Sequence, residues 1–277
     1  VTWYEPKSLA LATLQKDGKN GRKGSRLLVF HPQESAPLHD IYLPRDRPDL
    51  HMKGNEKEQR PNPELIFISD RTNTLLITLD LYGALAFADL DAAMEGKLQN
   101  YETRSTAIDE SWGSAFPDRG LLFERGGKDW LLVSNASADG GLVLFDVAKR
   151  KRVAAFPAPA GTEDPVELRR AGIVATVVSG KVKARTADGK LSKEIRAHPL
   201  LILIHIKSLN EGSEPVMRRV PLEEICMGIR VVAGPDKEWL LLAGDNGQML
   251  VMDPLSGEIV SRMAGPGKFI RFASSEN

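Results

Sequence analysis

The sequence predicts an all-β chain built as a ring of five four-stranded antiparallel sheets, and three observations predict it. Short apolar runs separated by turn residues recur through all 277 residues. A landmark, an apolar run ending in His or Asp, returns at intervals of about 50–60 residues, the span of one supersecondary unit. The first unit, one strand short at the N-terminus, has a matching spare strand at the C-terminus. The clearest copy of the unit is residues 237–261, KEWLLLAGDNGQMLVMDPLSGEIVS, which reads as three strands joined by Gly-Asp-Asn-Gly and Ser-Gly-Glu turns. Runs this short bury themselves only by pairing with one another. Residues 128–156, opening KDWLLVSN, repeat the pattern with Asp146 in the place of Asp253.

Taken in order, the landmarks are His31 (LLVFH), Asp89 (LAFAD), Asp146 (LVLFD), His205 (LILIH) and Asp253 (LVMD). Two further strands precede each. Unit two has LIFIS and LLIT, unit three LLFER and WLLVS, unit four VELRR and IVATVV, and unit five IRVVA and WLLLA. In unit one, residues 1–6 lead directly into SLALATL at 8–14. The displaced first strand is KFIRFASSEN at 268–277. Pairing the two termini closes the ring and removes exposed edges. The expected architecture is therefore a single five-bladed β-propeller domain over 1–277. Its blades are 268–277 with 1–48, then 49–104, 105–160, 161–222 and 223–267. A β-sandwich of similar strands requires neither an even period nor a displaced terminal strand.

The recurring pattern of apolar strand, Gly-Pro-Asp-Lys or Gly-Gly-Lys-Asp turn, apolar strand, Gly turn and apolar strand ending in Asp resembles the WD40-like, YncE-like β-propeller superfamily across essentially the whole chain. Two departures stand out. Five blades is few for that superfamily, and the Trp-Asp and Gly-His pairs of true WD40 repeats are absent. The resemblance implies a fold, and in many members export from a bacterium. The segment DPLSGEIVSRM also looks like the repeat of quinoprotein propellers, but Met263 stands where their Trp would be and the repeat is not sustained. No quinone, haem or other cofactor is expected.

Composition narrows the function classes. Lys+Arg and Asp+Glu each total 37, so the formal net charge is zero and a nucleic-acid partner is not expected. No apolar run approaches the length of a membrane-spanning helix. A single cysteine, Cys226, excludes an internal disulfide framework and a cysteine zinc site, and no metal is expected. The chain starts at Val1, which fits either a cleaved export signal or trimming; periplasmic or extracellular export is the expectation, with a cytoplasmic location as the alternative.

Chemistry is sought where the first strands of the units come together, because these line the channel of a propeller. They carry Glu124 and Arg125, Glu167, Arg169 and Arg170, Arg230, and Arg271. A charge in a half-buried strand needs a partner or solvent. One reading pairs the arginines with Glu124 and Glu167; the other has Arg230 and Arg271, with Arg169 and Trp112, fork onto an anionic ligand. Two basic segments, residues 16–26 and 181–196, read as loops without the interleaved aromatics that stack nucleic-acid bases. Nucleophile-elbow, phosphate-loop and zinc-helix motifs are all absent.

The leading expectation is a non-catalytic scaffold binding a protein partner or a small anionic ligand. The alternative is a propeller hydrolase or lactonase working at the channel mouth, with Glu124, Glu167 or His51 as acid or base.

Overall fold

The computed structural model describes residues 2–17, 23–44, 65–69, 75–79, 84–97, 102–105, 117–135, 141–156, 158–159, 161–179, 181–185, 191–196, 198–210 and 214–265. Among these, the strands form five four-stranded sheets, each a meander, and one two-stranded hairpin. Sheet one holds β1 (Thr2–Tyr4), β2 (Leu9–Asp17), β3 (Lys23–Phe30) and β4 (His39–Pro44). Sheet two holds β5 (Leu65–Ser69), β6 (Leu75–Leu79), β7 (Ala84–Asp89) and β8 (Glu102–Ser105), with the helical turn α1 (Leu90–Met94) after β7. Sheet three holds β9 (Pro117–Arg125), β10 (Lys128–Asn135), β11 (Leu142–Asp146) and β12 (Lys151–Phe156). Sheet four holds β13 (Thr162–Leu168), β14 (Ile173–Val178), β17 (Leu200–His205) and β18 (Met217–Pro221), the hairpin β15 (Lys181–Arg185) and β16 (Leu191–Arg196) being inserted at its middle. Sheet five holds β19 (Cys226–Ala233), β20 (Glu238–Gly244), β21 (Gln248–Met252) and β22 (Ile259–Ala264).

Three expectations are corrected. Residues 1–6 do not run straight into the second strand: Thr2–Tyr4 pairs antiparallel with Leu9–Leu11 and supplies sheet one with its own first strand. Residues 268–277 lie outside the described residues. The two basic segments are not simple loops either, since Lys16 and Lys23–Arg26 sit in the β2–β3 ladder and the second segment folds as β15 and β16. Finally, Arg169 and Arg170 belong to the turn after β13 rather than to the strand.

The repeated landmark has a local cause. A strand that must turn sharply leaves backbone N–H groups without ladder partners, and an Asp side chain at its end accepts them. Asp89 accepts from Ala92 N (2.9 Å), Asp146 from Lys149 N (3.0 Å) and Asp253 from Leu255 N (2.8 Å). Lys237 at 2.9 Å, helped by these backbone donors, holds the Asp253 carboxyl below its ordinary range. The β9–β10 connection is a two-residue turn, Gly126–Gly127, with both φ positive at 63° and 75°. That geometry matches the twist of a hairpin and suits glycine.

The chain divides into two compact units, one of Val1–Pro117, Gly126–Asp129 and Asp146–Arg152, the other of Asp118–Arg125, Trp130–Phe145 and Val153–Asn277. In the first, Leu11, Leu27, Val29 and Leu43 of sheet one pack with Leu76, Ala88 and Leu90 from sheet two and α1. In the second, sheet four is buried on both faces. Strand periodicity sends Ile173, Ala175 and Val177 one way, into a cluster with Ile229, Leu240, Leu242 and Leu250 of sheet five. It sends Val174 and Val178 the other way, against Phe123, Leu132 and Leu144 of sheet three. A strand covered on both sides has no polar face, which is why β14 reads IVATVV without alternation.

Candidate functional site

The first strands of sheets three, four and five carry the charges that matter, and the structure sorts them into two groups at opposite ends of β13. At its start, Asp164 is a hub. Its carboxylate lies 2.9 Å from Arg230 Nη1 of β19 and 3.6 Å from Arg119 Nε of β9, and it accepts the Ile229 N–H at 3.3 Å. Arg230 also donates to the Ile229 carbonyl (2.7 Å), which braces its guanidinium against its own strand. Asp164 has φ of 51°, a left-handed conformation that Asp tolerates better than most residues, and it sits in a register irregularity between Glu163 and Val166. Its side chain is 17% exposed, against 41% for Arg119 and 32% for Arg230. A half-buried carboxylate is thus shared by two more exposed cations drawn from two other sheets.

At the far end of β13, Glu167 pairs with Arg169 at 3.2 Å. Burial pushes the Glu167 carboxyl up; Arg169 pulls it down but does not outweigh burial, and the charges of Glu238 and Glu124 add to the upward push. Glu238, opening β20, accepts two consecutive backbone N–H groups of the β13–β14 turn, Arg169 at 3.1 Å and Arg170 at 3.0 Å. Arg170 returns the contact by donating to the carbonyls of Gly234 (3.1 Å) and Pro235 (3.0 Å) in the β19–β20 turn. This end is a reciprocal clasp between two hairpin turns.

The predicted site residues therefore part company. Arg230 does not meet Glu124 or Glu167 as an ion partner; it meets Asp164, which the sequence places only on a loop. Glu124 and Glu167 do come within electrostatic reach of each other. Arg125, next to Glu124, lies over the Trp130 ring at 4.2 Å and donates to the carbonyls of Ile206 (3.0 Å) and Leu209, so it ties sheet three to the β17–β18 connection. His51, Trp112 and Arg271 lie outside the described residues.

Two features were missed. Arg119 belongs to β9 because that strand starts at Pro117 rather than at Leu121, and its alternation with Leu121 and Phe123 is the signal that could have found it. The acidic residue before each repeated Trp is the other. Just as Glu238 accepts from the turn after β13, Asp129 accepts from Ser69 Oγ, at the end of β5, at 2.6 Å. The Lys-Asp-Trp and Lys-Glu-Trp copies thus mark a latch onto the preceding sheet. An outer latch repeats as well: Arg104 of β8 donates to Arg150 O in the β11–β12 turn, and Arg218 of β18 to Leu255 O and Ser256 O in the β21–β22 turn.

Among the described residues no cluster of His, Cys, Asp and Glu has the makings of a metal site, and no helix is long and apolar enough to cross a membrane. No protein-family model matches the chain, and no curated protein matches it. Solved structures do. The chain is similar to the Dos1 propeller at 12% identity and TM-score 0.56, covering 92% of this chain and 62% of that one. It is similar to Chaetomium thermophilum Raptor at 12% identity and TM-score 0.59, covering 96% of this chain but 21% of that one. A third likeness is to the quinohemoprotein alcohol dehydrogenase ADHIIG from Pseudomonas putida HK5, at 12% identity and TM-score 0.52, with 93% and 44% covered. The chain thus spans less than two thirds of each of these proteins. Identity this low carries fold and no chemistry, and the fold it carries is β-propeller-like, in keeping with the WD40-like resemblance of the sequence.

Proposed function

We propose that the chain is a non-catalytic β-propeller scaffold that binds a protein partner or a small ligand through an anionic group at Arg119 and Arg230. The observation that carries this reading is the convergence of two partly exposed guanidiniums, from different sheets, on the single carboxylate of Asp164. A rigid array of strands presenting forked donors at one end is suited to recognising a planar anion. A ligand that binds only the folded state raises its unfolding temperature by mass action. Acetate or inorganic phosphate at low ionic strength should therefore raise the midpoint of the native chain, and the double variant Arg119→Gln, Arg230→Gln should lose the rise. No rise, or one that survives both substitutions, refutes the assignment.

One observation favours a second reading. Glu167 is held partly protonated relative to an ordinary carboxyl and sits within reach of the charge on Glu124, and unlike protonation states in a carboxylate pair are what acid–base hydrolysis uses. A propeller hydrolase or lactonase built on this pair would turn over chromogenic esters or lactones in a manner that Glu124→Gln and Glu167→Gln each abolish. Turnover unchanged in both variants excludes it.

We also propose that the five sheets close into one ring as a single domain, with residues 268–277 against the N-terminal strands. The second face of sheet five supports this: Leu241, Met249 and Val251 are half-buried there, while Val232 and Met263 are exposed, so an apolar face still lacks its cover among the described residues. Removing residues 268–277 should lower the unfolding midpoint, and an unchanged unfolding curve counts against closure. Export to a periplasm or the cell exterior belongs to the same proposal, on the superfamily resemblance alone, and fractionation of the producing cell tests it.

A further inference from the structure

Resting on the reading of Arg119 and Arg230 as an anion site, we infer that Asp164 sets its specificity, selecting a single carboxylate, whether from a peptide or a small organic acid, over a phosphate dianion. The reasoning begins with charge. Two guanidiniums against one carboxylate leave one positive charge among these three side chains. An incoming carboxylate neutralises it, whereas a dianion leaves surplus negative charge beside a carboxylate that is 17% exposed, where solvent screens poorly. A bare pair of arginines would prefer the dianion, because attraction grows with charge. Asp164 reverses that order.

Asp164 cannot easily swing out of the way. The Ile229 N–H and Arg230 hold Oδ2, Arg119 faces Oδ1, and the left-handed backbone at φ of 51° fixes where the side chain leaves the strand. Asp164 is therefore a positioning and specificity residue rather than a ligand contact. Its own carboxylate shows that a planar group of this shape fits between the two forks.

Asp164→Asn is the informative change. Asn tolerates the same backbone, keeps an amide oxygen for the Ile229 N–H, and removes only the charge. The experiment follows the Arg119 and Arg230 Nε–Hε resonances while acetate or inorganic phosphate is titrated at pH 8 and low salt. In the native chain acetate should bind at least about threefold more tightly than phosphate; in Asp164→Asn the order should invert, with phosphate gaining about tenfold, the equivalent of ~1.4 kcal/mol. If neither anion moves either resonance, the anion-site reading fails. If both bind but the native chain prefers phosphate, or Asp164→Asn leaves the order unchanged, that reading stands and the role of Asp164 falls. Should Asp164→Asn not fold, the preference of the native chain alone decides.

Discussion

The two ends of β13 solve one electrostatic problem in opposite ways. At the start, Asp164 is surrounded by donors: two arginines from neighbouring sheets and a backbone N–H. At the finish, Glu167 has one cation, Arg169, and two carboxylates within range, and burial drives its proton affinity up. The first arrangement stabilises a charge and gains structure from it. The second tolerates a charge that the fold would rather neutralise, and nearby the structural work is done instead by Glu238, whose carboxylate grips the backbone of the next turn. Residues six-tenths of a strand apart thus differ in kind: one carboxylate organises its surroundings, the other is carried by them.

Removing the hub should have the larger effect. Asp164→Ala places Ala in a left-handed conformation and strips the shared acceptor from Arg230 and Ile229, so it should destabilise the chain by about 2–3 kcal/mol, while Asp164→Asn should lose clearly less. Urea unfolding of the two variants measures the difference, and equal losses would show that the charge, not the backbone, carries the hub. Glu238→Ala comes next. It removes the acceptor of two N–H groups, but solvent reaches them, so the loss should be about 1–2 kcal/mol, with Glu238→Gln retaining part of it. A greater loss than that of Asp164→Ala would reverse the ranking of the two ends.

The sequence shows one of these ends more plainly than the other, for a physical reason. Arg230 is legible because an Arg within an apolar strand is anomalous, and any such charge must find company. Asp164 is not legible as its partner, since an Asp in a polar segment looks like any turn residue and its left-handed backbone leaves no mark in the sequence. The five-sheet repeat is legible because each unit meets the same demands, apolar strands and a capping Asp at the third strand's end. Thr2–Tyr4 escaped because a three-residue strand holding Trp3 and Tyr4 is too short to show alternation. Arg169 was read into a strand that ends at Leu168, a boundary that depends on where the ladder stops rather than on residue type.

Glu167→Gln should go the other way from the first two variants. Because the folded carboxyl has a raised pKa, its favourable contribution is complete below the unfolded pKa and is lost as pH rises through the folded value; at neutral pH the native state carries the burden of the ion. A Gln cannot ionise, so Glu167→Gln should raise the unfolding midpoint at pH 7, and the gain should vanish as pH falls below the ordinary carboxylate range. A loss at pH 7 would mean that the Arg169 pair outweighs burial, making the two ends alike.

The smallest effect is a change in rate that reports which end has loosened. Cys226 opens β19 on the strand that carries Ile229 and Arg230; it is buried, and burial pushes its thiol up to about 12, so it should resist alkylation at pH 8 in the native chain. A local opening that frees the start of β19 exposes it without global unfolding. Asp164→Ala should therefore speed its labelling by iodoacetamide under native conditions more than Glu238→Ala does, even when the two are compared at matched global stability. Equal rates at matched stability would mean that Cys226 is reached only through complete unfolding, and that the contacts of Asp164 do not hold this end of β19 on their own.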